Sequence, residues 1–588
     1  MIDKAYKYFI VDFVDSLWEV SRVDFRTLII VMDKGLGLQN DKSLKYIMNK
    51  GIIAKSHLGF RKYVFFIFLI LLTSCRVGDQ DSSLVNLGKS VGFRINLLGS
   101  EYKNAPNDGA MNLKSQSKTM MLNPSNFIYA DLSTGIETSL KDSNQALSPK
   151  SGVSSKSSDV LATGMKFRVL VYDASGHFIT YTDYTVGLAG SSIMLNYGET
   201  YTIVVYSYNT STLPALSDGE RTSLSNAQVF YDASNPDFMH YTTSFTPLSN
   251  DTNYLDIVLY HKVTQVTTTI SAGNPLGQIY NISDSFLSPH YTDGVYSLES
   301  GYLFDRTSLS SGVRLDFSGT NFPTTAAVSS PVFINYDSYG DLAGSFIGDI
   351  TIGGVKKRID LGSSFIITPG NRSSLKINLT SCGAYLGPNG TNWKEFMCHN
   401  LGSDVMSHAF IPSSSLHGAR YQWGTQTPSS VQSSNITYVS QDDDQGQYNN
   451  SNAITGWNTV VAVNGSWSDT SKTVNDPCPS GYRVPTRSQW QQVLDNNVAS
   501  RVGNWQSGNN PTNYSSGILL GGGLFLPATG VRNFSNGSLS NRGFYGYYWS
   551  STSGSGSNAS YFTFSYNASS ITSYNRTEGL SVRCISVN

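Results

Sequence analysis

DPCPSGYRVPT, residues Asp476–Thr486, opens the C-terminal segment around which this chain is organised. The segment continues through YYWSST at residues 547–552 and closes on SVRC at residues 581–584, so a cysteine stands near each end. Asn, Ser, Gly, Tyr and Phe dominate between them. Recognition surfaces favour this mixture, because aromatic rings give contact area at low entropic cost and small polar side chains adapt to a partner. The sequence therefore predicts a small C-terminal domain with a recognition surface, which the rest of the chain exports, anchors and holds out.

The length and charge of the chain narrow the class of protein. At 588 residues it exceeds a single hydrophobic core, and about 150 residues per domain predicts roughly three or four units. Charged residues make up 14% and the net charge is −1. No basic field exists to attract nucleic acid, and no acidic field to steer a cationic substrate. The abundance of Gly, Ser, Asn, Thr and Tyr is typical of a β-rich extracellular protein.

A secretory leader is predicted to end at Cys75. Four basic residues between positions 50 and 62 precede an apolar run at 63–72, which is too short to span a bilayer of ~30 Å at ~1.5 Å per residue. The following LTSC, residues 72–75, resembles a bacterial lipobox. That resemblance implies cleavage before Cys75 and a diacylglycerol on its thiol, which would anchor the chain in outer-membrane lipid. The alternatives are an ordinary signal peptide with a coincidental cysteine, or a buried core helix.

The predicted leader and signal peptide cover residues 1–75, and a polar tether follows at 76–84. The tether sequence RVGDQDSS resembles the acidic export tag that follows the lipid cysteine in surface lipoproteins of the Bacteroidetes. This resemblance implies a surface-exposed lipoprotein of the cell outer membrane. Residues 1–47 carry no usable motif and are either a misassigned start or a discarded leader.

Alternation of apolar and polar residues predicts a first β-sandwich over residues 85–260. Met165–Tyr172 and Tyr201–Tyr208 alternate with period two and are rich in β-branched and aromatic residues, which predicts strands. A polar, Ser- and Asn-rich stretch at 101–160 predicts a loose surface insertion. Tyr254–Ile270 is strand-like but longer than a typical strand. It is predicted to end the first sandwich and begin a second at 261–380.

The second sandwich is predicted to contain a Pro369-Gly370 turn and several strands. These strands lie near Val313–Phe317, Ile347–Ile352, Arg358–Leu361 and Ser374–Leu379. The segments FRVLVYDASGHFI, GETYTIVVYSYNTS, YLDIVLYHKVTQVTTTI and ITPGNRSSLKINL together resemble the fimbrillin-like proteins of the Bacteroidetes. That resemblance covers about half of the chain and implies two transthyretin-like β-sandwiches. Periodicity alone fits a pair of immunoglobulin-like sandwiches nearly as well.

The third segment, residues 382–588, contains one predicted helix. Thr486 can cap its N-terminus while Gln489 reaches back, and Trp490 falls on its packing face. The segments PCPSGYRVPT, LPATGVRN, GYYWSST and GLSVRC resemble the Fibrobacter succinogenes major paralogous domain. This resemblance implies an α+β C-type-lectin-like fold, related to that of the formylglycine-generating enzyme. The predicted fold class is mainly β, with two sandwiches followed by this lectin-like domain.

The four remaining cysteines all belong to the lectin-like segment. The family's fold brings its first and last elements together, which implies a disulfide between Cys478 and Cys584. Cys382 and Cys398 would close a short loop where the domain begins. For each pair, free thiols are the alternative.

A metal site is not predicted. His399, His408 and His417 are spaced far more widely than the local ligand pairs of zinc sites, and hydrogen bonds in a core or loop are the commoner role. Asp442–Asp444 could supply oxygen ligands to calcium, but a solvated acidic loop is the commoner meaning. The Glu-Pro-Asn motif of calcium-dependent lectins is absent, and Asn475-Asp476 stands at the wrong end of the domain. No cofactor is predicted.

Catalysis is not predicted either. No Ser-His-Asp order, paired-acid motif or phosphate-cradling glycine loop stands out in the sequence. Formylglycine-generating enzymes use a cysteine pair in their active site, whereas the cysteines of this domain are predicted to be structural. The chain is therefore not expected to be an enzyme.

The candidate ligand-binding residues lie in the loops between Arg532 and Arg576, where aromatic residues stand beside small polar ones. Trp549 is expected to belong to the core. In some lectin-like proteins, diversity-generating retroelements vary this part of the fold, and the Asn, Ser and Tyr bias is compatible with that. Six residues are predicted to contact a ligand: Tyr545, Tyr547, Tyr566, Asn567, Tyr574 and Asn575.

The resemblances imply a cell-surface adhesin that serves as a tip or accessory subunit of a fimbria. Fimbrillin-like shafts assemble by strand addition, so pilin subunits are expected partners. Their donor strand is C-terminal and this chain ends in a closed domain, which favours a place at a pilus end. A glycan or a protein, and no nucleic acid, is the expected ligand. The alternatives are a non-polymerising glycan-binding lipoprotein, a retroelement-diversified binding protein, and an enzyme of the formylglycine-generating type.

Overall fold

The computed structural model describes residues 89–103, 116–134, 159–249, 251–273, 275–426, 453–454, 456–506, 510 and 512–587. All of them belong to one unit, Asn86–Asn588. The predicted leader, the predicted lipidation site Cys75, the predicted tether and the acidic run Asp442–Asp444 lie outside the described residues. In the part of the chain that is described, no helix is long and apolar enough to cross a membrane.

The fold is mainly β, as predicted. The strands before Cys382 are β1 (Ser90–Glu101), β2 (Gln116–Asn123), β3 (Asn126–Thr134), β4 (Lys166–Asp173), β5 (Phe178–Thr185), β6 (Ile193–Asn196), β7 (Tyr201–Ser207), β8 (Gln228–Phe230), β9 (Met239–Phe245), β10 (Asn253–His261), β11 (Thr264–Ala272), β12 (Ile279–Ser288), β13 (His290–Tyr291), β14 (Val295–Ser297), β15 (Leu303–Phe304), β16 (Leu309–Ser310), β17 (Val313–Arg314), β18 (Ala326–Val328), β19 (Val332–Ile334), β20 (Ser345–Ile352), β21 (Val355–Asp360) and β22 (Arg372–Ser381).

The C-terminal domain adds further strands and the longer of the two described α-helices. Its strands are β23 (Gly383–Gly387), β24 (Thr391–Glu395), β25 (Tyr482–Arg483), β26 (Ala499–Val502), β27 (Gly517–Leu520), β28 (Leu524–Pro527), β29 (Val531–Arg532), β30 (Leu539–Ser540), β31 (Gly546–Ser553), β32 (Asn558–Phe564), β33 (Ser569–Asn575) and β34 (Ile585–Ser586). The helices are α1 (Asp218–Thr222) and α2 (Arg487–Asn496), with 3-10 turns at Leu224–Asn226, Pro388–Gly390 and Ser414–Leu416.

Three larger sheets and two small ones, β13-β16 and β15-β14-β8, form the N-terminal part of the described chain. The first sheet has the order β5-β4-β7-β9-β10-β1-β6, and β1 and β10 are parallel neighbours. The second sheet has the order β18-β11-β22-β3-β2, with β19 also paired to β11, and the third has the order β17-β12-β20-β21. The second and third sheets share one core, in which Ile270, Ile350 and Ile377 are fully buried. These two sheets therefore form a sandwich.

The strand-like run Tyr254–Ile270 divides where the sequence predicts. β10 belongs to the first sheet and β11 to the second, and only Lys262 and Val263 separate them. β11 alternates strictly between buried and half-buried side chains. Such alternation requires one face of a strand to be covered and the other to be partly open.

Two pairs of strands cross the predicted boundary between the sandwiches at residue 260. β2 and β3 pair in the second sheet, where Ala130 lies opposite Ile377 on β22. Conversely, β14, which lies beyond the boundary, pairs with β8 on one side and β15 on the other and places Tyr296 in a core against the first sheet. The prediction of a loose insertion at 101–160 is therefore wrong for β2 and β3. Their neighbouring polar residues hide the alternation, and their partner strand lies more than 200 residues away.

The ends of the C-terminal domain meet, as the lectin-like resemblance implies. Cys478 is bonded to Cys584, and β25 pairs with β34 beside that disulfide. Cys382 is bonded to Cys398. Both predicted disulfides are therefore present.

The predicted cap of α2 is also present. The Gln489 amide donates to Thr486 Oγ1 at 3.1 Å, and the Thr486 amide donates to Gln489 Oε1 at 2.9 Å. This reciprocal pair satisfies two donors that the first turn of a helix leaves unpaired. Trp490 and Val493 are buried on the packing face.

The turn of the β2–β3 hairpin joins the second sheet to the C-terminal domain. The backbone amides of Cys382 and Cys398 donate to the carbonyl oxygens of Ser125 and Pro124, at 2.7 and 2.8 Å. The hydroxyl groups of Ser125 and Tyr482 share a buried hydrogen bond of 2.8 Å. A buried backbone amide without a partner costs free energy comparable to a lost hydrogen bond. The hairpin turn thus supplies the partners that fix the position of the C-terminal domain.

Opening the long disulfide is expected to destabilise the chain more than opening the short one. Cys478 and Cys584 are 106 residues apart, and Cys382 and Cys398 are 16 apart. The chain-entropy model gives losses of about 5 and about 3 kcal/mol in the free energy of unfolding for the two double Cys→Ala variants. Urea titrations followed by tryptophan fluorescence measure the difference, and equal midpoints for the two variants would contradict it.

Candidate functional site

The sheet β31–β32–β33 positions most of the predicted binding residues. Its side chains alternate between two faces. On one face, Tyr548 and Phe562 pack with Trp490 of helix α2. The opposite face carries Tyr561 and the fully buried Trp549, which confirms that Trp549 belongs to the core.

Three tyrosines form a diagonal line across the second face, and we call Tyr547, Tyr561 and Tyr574 the tyrosine row. Tyr547 of β31 lies opposite Thr563, which is two residues beyond Tyr561 on β32 and so on the same face. Tyr574 of β33 lies opposite Ala559, which is two residues before Tyr561 on β32. Diagonal neighbours on one face of a sheet are about 7–8 Å apart, within reach of aromatic side chains.

The middle of the tyrosine row is buried at Tyr561, Tyr547 is half-buried, and the Tyr574 end is exposed. Tyr547 and Tyr561 have ring centroids 5.9 Å apart, and Tyr561 is only 9% exposed. Tyr574 is 48% exposed, and its ring lies 6.2 Å from that of Phe534, which is 37% exposed. Tyr545 adds a further ring 5.7 Å from Tyr547. A ligand can therefore meet Tyr574 and Phe534 first and the deeper rings next.

Glu578 lies buried beside the tyrosine row. It is 4% exposed, and its Oε2 atom has no hydrogen-bond partner. Burial raises the pKa of Glu578 to about 8, although a hydrogen bond from the Phe534 backbone amide acts in the opposite direction. The carboxyl is close enough to Tyr561 to contribute, after burial, to raising the pKa of that hydroxyl to about 12. It acts on Tyr547 in the same sense, where burial again is the main cause of a raised pKa.

A second polar atom on this face is also without a partner. Thr563, opposite Tyr547, has its hydroxyl oxygen buried with no hydrogen bond. The Tyr547 hydroxyl accepts a hydrogen bond of 3.3 Å from the side-chain amide of Asn541. Buried polar atoms in native proteins nearly always have partners, so two such atoms beside one row of rings indicate a place where a ligand or water completes the hydrogen bonds.

The six predicted residues do not form one site. Tyr545, Tyr547, Tyr574 and Asn575 lie around the tyrosine row, whereas Tyr566 precedes β33, which is about 20 Å long at ~3.4 Å per residue. The oxygen of the Asn575 side chain already accepts hydrogen bonds from the amide and hydroxyl of Thr577, at 3.0 and 2.9 Å.

Tyr566 and Asn567 belong to a separate patch at the β32–β33 turn. Tyr566 is 63% exposed and lies 6.4 Å from the Trp505 ring. Asn567 accepts a hydrogen bond of 3.1 Å from the Ser565 hydroxyl. Arg501 holds the turn through hydrogen bonds to the Ser565 carbonyl and the Ser569 hydroxyl, at 2.6 and 2.8 Å. At this turn an exposed tyrosine therefore lies beside Trp505, whose ring nitrogen is buried without a hydrogen-bond partner, and no buried carboxyl is among its contacts in the described part of the chain.

The six predicted contact residues do not include Phe534 and Tyr561, which lie in the aromatic-rich stretch 532–576 that the sequence singles out, and Glu578 was missed altogether. One signal was available: after Asp495, Glu578 is the only Asp or Glu in the sequence. Glu578 is thus the single acidic residue in more than ninety residues that contain many tyrosines, so no second acidic side chain is near it in the sequence. Its burial, however, comes from tertiary packing and has no sequence signature.

The three histidines considered for a metal lie apart in their contacts. His399 is buried and its Nε2 atom lies 2.9 Å from the carbonyl oxygen of Ser407. His408 packs edge-on against Phe127 and Tyr129, and His417 is fully buried. Burial lowers the pKa of all three imidazoles. Within the described ranges, no group of three or more His, Cys, Asp or Glu side chains is arranged to hold a metal ion.

A hydrogen-bonded Ser–His–Asp row connects the first sheet to the β10–β11 boundary. His261 Nδ1 lies 2.6 Å from Asp237 Oδ1, and His261 Nε2 lies 3.1 Å from Ser100 Oγ. The order of these groups matches a serine-hydrolase triad, although no such order stands out in the sequence. Ser100 is only 4% exposed, and the Tyr102 ring stacks on His261 with 3.8 Å between centroids. This geometry closes the row to a substrate and suits a structural role.

Comparisons with known proteins give one family and several solved structures. A family described as a domain of unknown function (DUF8237) matches residues 523–585, which include the tyrosine row. No curated protein matches the chain. Two similar structures are described as putative cell adhesion proteins: one from Bacteroides uniformis (14% identity, 37% of this chain and 92% of that chain, TM-score 0.27) and one from Bacteroides fragilis (13%, 49% and 92%, TM-score 0.28). A third is a fimbrial assembly protein from Parabacteroides distasonis (12%, 40% and 87%, TM-score 0.24).

The raised pKa of Glu578 is expected to make the protein less stable as the pH rises. Below about pH 4.5, the ordinary value, the carboxyl is protonated in both the folded and the unfolded chain. Between there and about pH 8 the unfolded chain loses this proton and the folded chain keeps it, so the free energy of unfolding falls by up to about 4 kcal/mol. Glu578→Gln removes this dependence.

Urea titrations at pH 5 and pH 8 measure this effect. The stability of Glu578→Gln relative to the native chain should increase between the two pH values. Asp495→Asn, at an exposed position of α2, is the matched control and should follow the native profile. Parallel profiles for the native chain and Glu578→Gln would show that Glu578 ionises normally in the folded state.

Proposed function

We propose that this chain is a cell-surface adhesin whose C-terminal domain binds its ligand at the tyrosine row. The observation that carries the proposal is the pairing of exposed rings, Tyr574 and Phe534, with a buried carboxyl, Glu578, that has an oxygen without a partner. Aromatic rings give binding area at low entropic cost. An unsatisfied buried oxygen costs free energy until a ligand or water satisfies it. A ligand that covers the rings and reaches Glu578 gains aromatic contact area and also supplies a hydrogen-bond partner for the unsatisfied oxygen.

The rest of the chain is proposed to present this face at the cell surface. A lipid on Cys75 would hold the chain in the outer membrane, with the tether after it. The β2–β3 hairpin supports this arrangement, because its hydrogen bonds to the amides of Cys382 and Cys398 fix the domain that carries the face. A rigid mount favours an adhesin, since orientation of the binding face is not lost to free rotation.

Association with fimbrial subunits by strand addition is part of the same proposal. β5 lies at an edge of the first sheet and alternates along its length, with Ile179 46% and Tyr181 37% exposed. An edge strand offers a row of backbone donors and acceptors to another chain. A role as an accessory subunit of a fimbria is compatible with that edge. The alternatives are a glycan-binding surface lipoprotein that does not polymerise and a retroelement-diversified binding protein.

A non-enzymatic role is proposed for the Ser–His–Asp row. A fluorophosphonate probe, which modifies activated serines, is expected to leave Ser100 unlabelled in the native chain because the hydroxyl is enclosed. Ser100→Ala should instead lower the free energy of unfolding by about 1–3 kcal/mol, since it leaves the Nε2 atom of buried His261 without a partner. Labelling of the native chain that disappears in Ser100→Ala would overturn the structural assignment.

The binding face is tested by replacing one tyrosine inside the tyrosine row and one outside it. The labelled full-length chain is first screened against arrays of glycans and of extracellular proteins, and the strongest ligand is then measured with variants. Tyr574→Ala is expected to weaken binding at least tenfold, because it removes the exposed end of the row. Tyr566→Ala, which removes a ring that is 63% exposed at the β32–β33 turn, is the matched control and should bind normally.

Both variants should keep the native melting temperature, because both rings are largely at the surface. Loss of binding in Tyr566→Ala with normal binding in Tyr574→Ala would move the site to the β32–β33 turn. A glycan as the strongest ligand would favour the glycan-binding lipoprotein over an adhesin for proteins.

A further inference from the structure

Glu578 forms no ion pair with another described residue, although Arg532 of β29 adjoins its segment of chain. The Arg576 guanidinium lies over the Trp423 ring at 4.5 Å and donates to the carbonyl oxygens of Ala462 and Asn558. A buried carboxylate without a cation is costly, so the group remains neutral until a cation arrives.

The surroundings of Glu578 suit a cation. The faces of aromatic rings carry partial negative charge, and an ammonium or guanidinium group within about 6 Å of a ring is attracted to it, most strongly where water is excluded. The charge of the carboxyl acts on the hydroxyls of Tyr561 and Tyr547, and the Phe534 backbone amide donates a hydrogen bond to it. The rings of Tyr574 and Phe534, 6.2 Å apart, are the more exposed ones on this side. One group can therefore meet π-faces and a carboxylate together.

We propose that the tyrosine row binds a cationic side chain, the ammonium of lysine or the guanidinium of arginine, presented by a protein partner, with Glu578 as its counter-charge. This proposal rests on the proposed function of the face and names its ligand class. The cation satisfies the free Oε2 atom of Glu578 by donating to it.

Cation binding makes the affinity depend on pH. The groups that face or adjoin Glu578 are Tyr547 of β31, Tyr561 of β32 and Arg532 of β29, whose guanidinium donates to the Gly537 carbonyl oxygen at 3.0 Å. The tyrosines stay neutral at pH 6–8 because their pKa values are raised. Binding therefore requires Glu578 to lose its proton, and the affinity should rise about tenfold per pH unit until about pH 8.

The experiment uses the full-length chain and dye-labelled peptides that differ in one group. The peptides are Gly-Gly-Lys-Gly-Gly, its arginine counterpart and its Nε-acetyl-lysine counterpart, measured by fluorescence polarisation at pH 6, 7 and 8. The lysine and arginine peptides should bind, and acetylation should weaken binding at least tenfold. Glu578→Gln should lose at least tenfold in affinity together with the pH dependence, at an unchanged circular-dichroism spectrum.

Two further variants, Tyr574→Ala and Tyr566→Ala, test the proposal even if Glu578→Gln does not fold. Tyr574→Ala should weaken the lysine peptide at least fivefold, and Tyr566→Ala should leave it unchanged. Equal binding of the acetylated peptide, an unaltered affinity in a folded Glu578→Gln, or no binding of any peptide would overturn the cation assignment. If Tyr574→Ala still loses the ligand found on the arrays, the binding face stands and only its ligand class is wrong. If no ligand depends on Tyr574, the proposed function itself fails.

Discussion

The hydrogen bonds at the tip of the β2–β3 hairpin hold the two halves of the described chain together. Ser125 and Pro124 accept the backbone amides of Cys382 and Cys398, on either side of a disulfide. The same hairpin is a full member of the second sheet through β3 and β22. β22 also runs directly into the C-terminal domain, with only Cys382 between it and β23. Two independent connections therefore set the orientation of the tyrosine row relative to the sheets.

Local pattern was sufficient for the elements whose signal lies within a few residues. The break in Tyr254–Ile270 and the cap of α2 at Thr486 and Gln489 follow from alternation and from capping chemistry. The pairing of β3 with β22 could not be predicted in that way, because it joins residues far apart in the sequence, such as Ala130 and Ile377. Nothing in a single sequence shows which distant strand completes a sheet.

The candidate site likewise contains some residues that the sequence indicates and others that only the three-dimensional structure shows. Tyrosines at 547 and 574 could be singled out by composition, but the register of three strands decided that Tyr561 joins them and that Tyr566 does not. Glu578 becomes important only through burial beside Tyr547 and Tyr561, and burial is a property of the assembled domain. The row of Ser100, Asp237 and His261 spans 161 positions of sequence and is likewise visible only in three dimensions.

The parallel pairing of β1 with β10, and of β11 with β22, has a mechanical consequence. Each pair is joined over eight registered positions. Tension applied between the start of β1 and the C-terminal domain pulls β1 along its own axis, past a neighbour that runs in the same direction. All the hydrogen bonds of the pair then share the load, whereas a hairpin pulled at its open end yields one bond at a time. The arrangement therefore gives each pair its greatest resistance to a force along the strands.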